Sequence, residues 1–275
     1  MSINQKYFLP RVDEFCKQAE NIGEEGFPDS GLFIPYTFKH YDTAPKKIFY
    51  VGRDSAGWIG FQEMMSDFKN GVLSDYLEKN SNVVTVQEKR GKDKHNLKED
   101  WKSNKAEFLP FCQKLHIYIT TGRFIEDIHS LKDEDYQLIE QMGYGNLNSL
   151  EHDETLKKLP KDNPIWYRID RKKFYQLRQA SRQLDRLIHI IEAYHPDLII
   201  ILNGEDREDV FNGLQIKDVM HRNITQKVKR DIYTIEGYST QVLWSIHPVR
   251  FKFHSITQEI MIKSLGNTAR ELLSL

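Results

Sequence analysis

The chain has 275 residues, of which 39% are hydrophobic; this is enough to build a core and excludes an intrinsically disordered protein. Its 39 Lys and Arg residues balance 40 Asp and Glu residues, and the formal net charge of -1 confines any nucleic-acid surface to a local patch. The two cysteines, Cys16 and Cys112, lack metal-ligand spacing, so we expect no disulfide, metal or cofactor. Without a signal-peptide pattern or about 18 consecutive apolar residues, we expect a cytoplasmic protein outside the membrane.

The N-terminal region, residues 1–45, is predicted as one helix followed by a long loop. Pro10 suits the first turn of a helix, apolar residues follow at helical spacing, and Gly23 can end it. Residues 26–45 are rich in Gly and Pro, which excludes a long regular element before the first strand.

The chain is organised around a buried strand, Ile48–Val51, that runs into a turn of small residues. Gly52 frees the backbone to turn, and Asp54 then places a carboxylate at the carboxyl end of the strand, where open α/β sheets bind ligands. Two interpretations of Asp54 stay open, a catalytic group and a cap for the following helix. Trp58, a little further on, is either one wall of a pocket or a core anchor.

Residues 59–122 are predicted to contain helices, a basic loop and a second strand. Lysines outnumber acids between Lys89 and Lys105, which indicates either a solvated loop or a patch that contacts phosphates. A helix beginning near Phe108 is expected to lead to a strand, Ile117–Ile119, that ends at Thr120 and Thr121. Residues 124–164 are acidic and turn-rich, and we interpret them as an insertion of helix and irregular connections.

One long amphipathic helix is predicted over Arg171–Tyr194, because apolar residues recur there every three or four positions. Its N-terminal half is basic, which is typical of either a solvated face or a contact with phosphates. The residues that would make that contact are Arg171, Lys172, Arg178 and Arg182.

The last third of the chain is predicted to hold three strands and a helix. Leu198–Leu202 is a third buried strand and ends at Asn203. Ile232–Ile235 and Thr240–Ile246 have the pattern of a hairpin, and the second strand runs into His247 and Pro248. Ser255 and Gln258 have the spacing of a capping box, which predicts a final helix beginning after Ser255.

Together these elements predict a single domain over residues 1–275 with a three-layer α/β/α fold and a central, mainly parallel, four-stranded sheet. The four predicted strands are Ile48–Val51, Ile117–Ile119, Leu198–Leu202 and Thr240–Ile246.

The segments APKKIFYVGRD, LIIILNG and QVLWSIHPV, in this order and followed by a terminal helix, resemble the uracil-DNA glycosylase superfamily. In that family one motif begins with Gly, a polar residue and Asp, and a second begins with His-Pro, each at the end of a strand. Gly52, Arg53 and Asp54 match the first opening, and His247 and Pro248 match the second. The chain departs from the family at residues 55–57, which are Ser, Ala and Gly instead of Pro, Tyr and His. It also has Val249 and Arg250 where the family has Ser and Pro.

The resemblance implies a hydrolase that cleaves the N-glycosidic bond of a deaminated or modified base in DNA. Asp54 would stabilise positive charge on the sugar and orient a water, while His247 would donate a hydrogen bond to the departing base. The substrate-binding residues would be Gly52, Arg53, Ser55, Trp58, Thr121, Asn203 and Pro248, and the DNA-binding residues would be Arg171, Lys172, Arg178, Arg182 and Arg250. The departures from the family motifs favour the alternative, a non-catalytic module on the same fold that binds nucleic acid or nucleotides.

Overall fold

A computed structural model describes residues 3–28, 31–53, 60–81, 84–85, 95–96, 108–150, 170–203, 208–225 and 228–275. The described helices are α1 (Ile3–Tyr7), α2 (Leu9–Ile22), α3 (Phe61–Lys69), α4 (Leu73–Ser81), α5 (Leu109–Thr121), α6 (Asp133–Ile139), α7 (Arg171–Ser181), α8 (Leu187–Tyr194) and α9 (Gln258–Leu273). The described strands are β1 (Tyr36–Thr37), β2 (Ile48–Gly52), β3 (Val84–Thr85), β4 (His95–Asn96), β5 (Met142–Asn146), β6 (Leu198–Leu202), β7 (Ile216–Thr225), β8 (Val228–Ile235) and β9 (Gln241–Ser245).

Seven of these strands form one mixed sheet in the order β1-β5-β2-β6-β9-β8-β7, and β3 and β4 pair separately. The four middle strands, β5, β2, β6 and β9, are mutually parallel, while β1, β8 and β7 are added antiparallel at the two sides. The chain therefore forms a mixed α/β fold, but its sheet has seven strands and not the four that the sequence predicts. Because β5 and β6 lie on opposite sides of β2, the strand order reverses at β2, where open α/β sheets bind ligands.

Helices cover both faces of this sheet, and alternate residues of β2 face different cores. Phe49 and Val51 pack in a core with residues of α2, α3, α4, α7 and α8. Ile48 and Tyr50 pack in a second core with residues of α5, α6 and α9. This burial on both faces explains why the central strands are continuous apolar runs and not alternating ones.

The predicted strands Ile48–Val51, Leu198–Leu202 and Thr240–Ile246 are confirmed within a residue or two. The predicted hairpin is also confirmed, but its first strand, β8, begins at Val228, four residues before the predicted Ile232. The predicted strand Ile117–Ile119 is wrong, because these residues belong to helix α5, which ends at Gly122 in the left-handed conformation. Almost every side chain of α5 is buried, so the helix lacks the polar face that would have revealed its period.

Part of the predicted insertion at residues 124–164 is instead a strand of the main sheet. Met142–Asn146 form β5, which pairs in parallel with β2 over its whole length. The sequence does not predict this strand, because it contains two glycines, Gly143 and Gly145, and glycine is uncommon inside strands.

The single helix predicted over Arg171–Tyr194 is two helices, α7 and α8, separated by a turn at residues 182–186. The turn carries the buried side chain of Asp185 to the backbone N–H of Ser149, which donates to Asp185 Oδ1 at 2.7 Å. The last helix also starts later than predicted, since Thr257 and not Ser255 caps α9, and its Oγ1 accepts from the Ile260 N–H. Ser255 itself has a positive φ of 54°, outside the helix.

None of the helices in the described part of the chain combines the length and the apolar character needed to cross a membrane.

Candidate functional site

The carboxyl ends of all four parallel strands carry a candidate site residue. Gly52 ends β2, Asn146 ends β5, Asn203 follows β6 and His247 lies two residues after β9. Because parallel strands bring their carboxyl ends to one edge of a sheet, these residues share that edge. The sequence-predicted residues Gly52, Asn203 and His247 therefore lie on neighbouring strands at the place where ligands bind in such folds.

The segments after β2 and β5 stay paired beyond the two strands. The Leu147 N–H donates to the Gly52 carbonyl at 2.9 Å, and the Asn148 N–H donates to the Arg53 carbonyl at 3.0 Å. These bonds fix the backbone up to Arg53, directly before Asp54. The predicted catalytic Asp54 and the predicted binding residues Ser55 and Trp58 lie outside the described residues.

Asn146 is the main site residue that sequence reasoning missed. It lies beside Gly52 in the β2–β5 register, its side chain is buried, and its Oδ1 accepts from the Tyr144 hydroxyl at 3.3 Å. Within the described part of the chain its buried Nδ2 has no hydrogen-bond partner. A buried amide donor without a partner is costly, and this one lies at a strand end where a ligand can supply the acceptor.

Gly52 allows this arrangement because it has no side chain. A Cβ at position 52 would lie 2.8 Å from Asn146 Oδ1 and 3.0 Å from the Phe108 ring. Any larger residue would displace one of these two side chains. The glycine of the first motif therefore has a packing role at the site as well as a role in the turn.

Phe108, which precedes α5, lies between Tyr144 of β5 and His247. Its ring centroid lies 5.6 Å from that of Tyr144 and 5.8 Å from that of His247, to which it is nearly parallel at 24°. Phe108 as a whole is half-buried. The sequence assigned Phe108 only to the apolar face of a helix, and nothing local in the sequence indicates its position between two strand ends.

The hydrogen bond of His247 defines which of its ring nitrogens carries the proton. The Val249 N–H donates to His247 Nδ1 at 3.2 Å, so Nδ1 is the acceptor nitrogen. In the neutral ring the proton then lies on Nε2, which makes Nε2 a hydrogen-bond donor. Pro248, the other residue of this motif, is buried and starts a 3-10 segment, Pro248–His254.

Asn203 is buried, and its backbone binds the strand next to it. Its N–H donates to the Ser245 carbonyl at 3.0 Å, and its carbonyl accepts from Trp244 Nε1 at 2.9 Å. These bonds hold the end of β6 against β9.

Thr121, a predicted substrate-binding residue, is far from this edge of the sheet. It ends α5, whereas Phe108 precedes the same helix, and at about 1.5 Å per residue the two are about 20 Å apart. The Thr121 hydroxyl donates to the Ile117 carbonyl at 2.7 Å and accepts from the Arg123 N–H at 3.1 Å, so it helps to end the helix. The prediction depended on Ile117–Ile119 being a strand, and these residues are helical.

The predicted DNA-binding residues lie on two separate elements. Lys172 is exposed on α7, Arg178 on the same helix is half-buried, and Arg182 is half-buried in the turn after α7. Arg250 is exposed in the segment that follows His247. The side chain of Arg171 and all of the Lys89–Lys105 loop except residues 95–96 lie outside what the structure describes.

A buried pair, Tyr50 and His116, lies beneath the site on the face of β2 that packs against α5. The Tyr50 hydroxyl and His116 Nδ1 are 3.1 Å apart. Burial lowers the pKa of His116 to about 4, and a weaker interaction with the Leu138 backbone acts in the opposite direction. Burial also raises the pKa of Tyr50 well above its ordinary value, so both side chains are neutral at pH 7.

We expect His116 to make the protein less stable in mild acid. Its pKa is lower in the folded chain than in the unfolded chain, so between pH 6.5 and 4 the unfolded chain binds more protons. Stability is therefore full above pH 6.5 and falls by about 2 kcal/mol between pH 7 and pH 5 through this group. Urea unfolding at several pH values gives the free energy of unfolding as a function of pH. Between pH 7 and pH 5 this free energy should fall less steeply for His116→Asn than for the wild type. The exposed His129, replaced by Gln, serves as the control for exchanging a histidine. The same dependence of stability on pH for His116→Asn and the wild type would contradict the expectation.

A scan against protein-family models finds no match to this chain, and a search of the curated proteins finds no match either. Among the described residues, no group of three or more His, Cys, Asp or Glu side chains is arranged to hold a metal ion.

Proposed function

We propose that the chain is a DNA glycosylase-like hydrolase that cleaves the N-glycosidic bond of a deaminated or modified base. The observation that carries this proposal is the grouping of Gly52, Asn146 and His247 around Phe108 at the carboxyl edge of the parallel strands. The glycosylase family that the sequence resembles has an Asn on the strand beside its first motif. Asn146, at the end of the strand next to β2, would take this role here.

The chemistry of this reaction matches the groups at the site. Breaking an N-glycosidic bond develops positive charge on the sugar and negative charge on the departing base. Asp54, two residues beyond Gly52, would supply a carboxylate for the first charge. The Nε2–H of His247 would donate to the second, and a donor held in place before the reaction stabilises such a charge without reorganisation.

Asn146 and Phe108 would bind the base that the enzyme takes out of the stack. The Nδ2 of Asn146 offers N–H donors to a carbonyl on the edge of the base, while its Oδ1 is oriented by Tyr144. Phe108 offers an aromatic face against which a flipped base can stack. A pyrimidine or purine with an exocyclic carbonyl, the product of deamination, fits these donors best.

The segment after His247 has the composition of a contact with the DNA backbone and stack. Phe253 is 74% exposed and Val249 is 37% exposed, next to the exposed Arg250. Apolar side chains can insert between base steps, and arginines bind the neighbouring phosphates. This combination supports DNA as the partner.

One observation favours the second candidate function, a non-catalytic module that binds nucleic acid. The Phe108 and His247 rings are only 5.8 Å apart. Placing a base between two rings needs about 7 Å, twice the contact distance of carbon atoms. As an enzyme, the protein must therefore bind the base on another side of Phe108 or move this ring when DNA binds.

The two functions are separated by a screen for base release. The purified protein is incubated with oligonucleotides that each carry one uracil, hypoxanthine, xanthine or alkylated base, and abasic sites are then cleaved with alkali. We expect cleavage at one of the deaminated bases, and loss of this cleavage in His247→Ala prepared in the same way. Binding to the oligonucleotides without any cleavage would reject the hydrolase and support the binding module.

A further inference from the structure

Helix α7 presents an exposed stripe that the candidate site does not use. Lys172, Tyr175 and Gln176 are exposed, with Gln179 half-buried one turn further on, while Phe174 and Leu177 face the core. The spacing of three, four and seven residues places the first group on one face of the helix. Tyr175 is 60% exposed, so most of its ring faces solvent. We refer to Lys172, Tyr175, Gln176 and Gln179 as the α7 stripe.

The positive charges at the start of α7 do not stabilise the helix itself. The helix contains no acidic residue, and three cations, Arg171, Lys172 and Lys173, occupy its first turn. Cations at a helix N-terminus interact unfavourably with the helix dipole. Asp170 partly offsets this, because its carboxylate accepts from the Lys172 and Lys173 N–H groups at 2.8 and 3.1 Å.

Of these cations, Lys173 already has a carboxylate partner, Glu25, at 2.7 Å. Lys172 and Arg182 form no ion pair with any residue that the structure describes. The Arg182 Nε is also buried and has no hydrogen-bond partner within the described ranges. These positive groups beside an exposed ring fit an anionic partner that also has a flat face.

The α7 stripe is connected to the candidate site through the turn that follows it. Asp185 in this turn accepts from the Ser149 N–H at 2.7 Å, and Ser149 lies three residues after Asn146. The turn that contains Arg182 therefore packs against the segment that follows β5.

We propose that the α7 stripe binds single-stranded DNA next to the target nucleotide, with Tyr175 stacking on a base and Lys172 contacting a phosphate. This inference rests on the proposed function for the identity of the partner, DNA. Stacking selects single strands, because the base faces of a duplex are already covered by their neighbours. The substrate would accordingly be a single-stranded or locally unpaired site.

The test is fluorescence anisotropy with a labelled oligothymidine and with a labelled hairpin duplex. We expect Tyr175→Ala to weaken binding of oligothymidine about tenfold, because each stacked base contributes on this scale. Tyr175→Phe should keep the affinity, since it keeps the ring. Duplex affinity should be the same for both variants and the wild type.

Tyr238→Ala is the matched control, because Tyr238 is also exposed but lies in the turn between β8 and β9, where β9 begins and not at its carboxyl end. Three results would overturn the inference. Tyr175→Ala and Tyr238→Ala could bind oligothymidine with equal affinity, or Tyr175→Ala could lose affinity equally for oligothymidine and the duplex. The third result is a wild-type protein that binds neither probe. Absence of base release in the screen, together with binding that depends on Tyr175, would reject the hydrolase and leave this surface supported.

Discussion

On the base that the screen identifies, Asp54→Asn and His247→Ala should each lower the single-turnover rate of base release about a hundredfold or more. Both side chains would interact chiefly with charges that form in the transition state, so their loss affects the chemical step more than DNA binding. For His247 the Val249 N–H already assigns the donor proton to Nε2. Rapid-quench measurement of abasic product with enzyme in excess gives the rate, and anisotropy gives the affinity.

His254→Ala is the control for this experiment, because His254 belongs to the same 3-10 segment as Pro248 but ends it. We expect it to retain the wild-type rate. If Asp54→Asn and His247→Ala also release the base at the wild-type rate, these two residues are structural and the proposed mechanism is wrong.

The elements that the sequence predicts well are those buried on both faces by apolar side chains alone. Ile48–Val51 and Leu198–Leu202 are short apolar runs bounded by turn residues, and both are central strands. Their carboxyl ends could be predicted as the ligand-binding edge before the sheet order was known. For this reason the sequence located Gly52, Asn203 and His247 correctly at that edge.

The errors come from residues whose structure is determined by distant neighbours. Ile117–Ile119 is an apolar run like the others, but it lies in a helix buried on nearly all sides, which a short window cannot distinguish from a strand. Because β5 and not Ile117–Ile119 is the strand beside β2, Asn146 and not Thr121 lies at the candidate site. Phe108 could not be assigned for a similar reason, since its contacts with Tyr144 and His247 join positions 36 and 139 residues away.

β5 could not be predicted because its two glycines are compensated by a side chain from another strand. Phe49 lies beside Gly143 in the register of β2 and β5, and its ring covers both Gly143 and Gly145. Aromatic rings can stabilise strand glycines in this way by burying the exposed backbone. The sequence contains both partners, but nothing in it shows that positions 49 and 143 are neighbours.

Gly143→Ala should therefore destabilise the protein strongly. A Cβ at position 143 would overlap the Phe49 ring. The ring cannot move away easily, because it stacks on Tyr194 at 5.3 Å and meets Tyr41 edge-on at 6.1 Å. Gly to Ala usually stabilises by up to about 1 kcal/mol through the unfolded chain. Overpacking acts in the opposite direction and is larger here, so we expect a net loss of about 3 kcal/mol in the free energy of unfolding.

Urea unfolding with Phe49→Leu as the second mutation tests whether the ring is the cause. Gly145→Ala is the milder comparison, because its Cβ would lie 3.0 Å from Phe49 Cε1 and 3.2 Å from Ile190 Cδ1, contacts that small shifts relieve. If the ring is responsible, Gly143→Ala costs much less in the Phe49→Leu background than in the wild type, and the two mutations are coupled by more than about 1 kcal/mol. If the losses of stability from the two mutations are additive, the Phe49 ring is not the cause of the destabilisation by Gly143→Ala. A Gly143→Ala protein as stable as the wild type would mean that the ring does not lie over the glycine, and the pairing of β5 with β2, which brings Asn146 beside Gly52, would then lose its support.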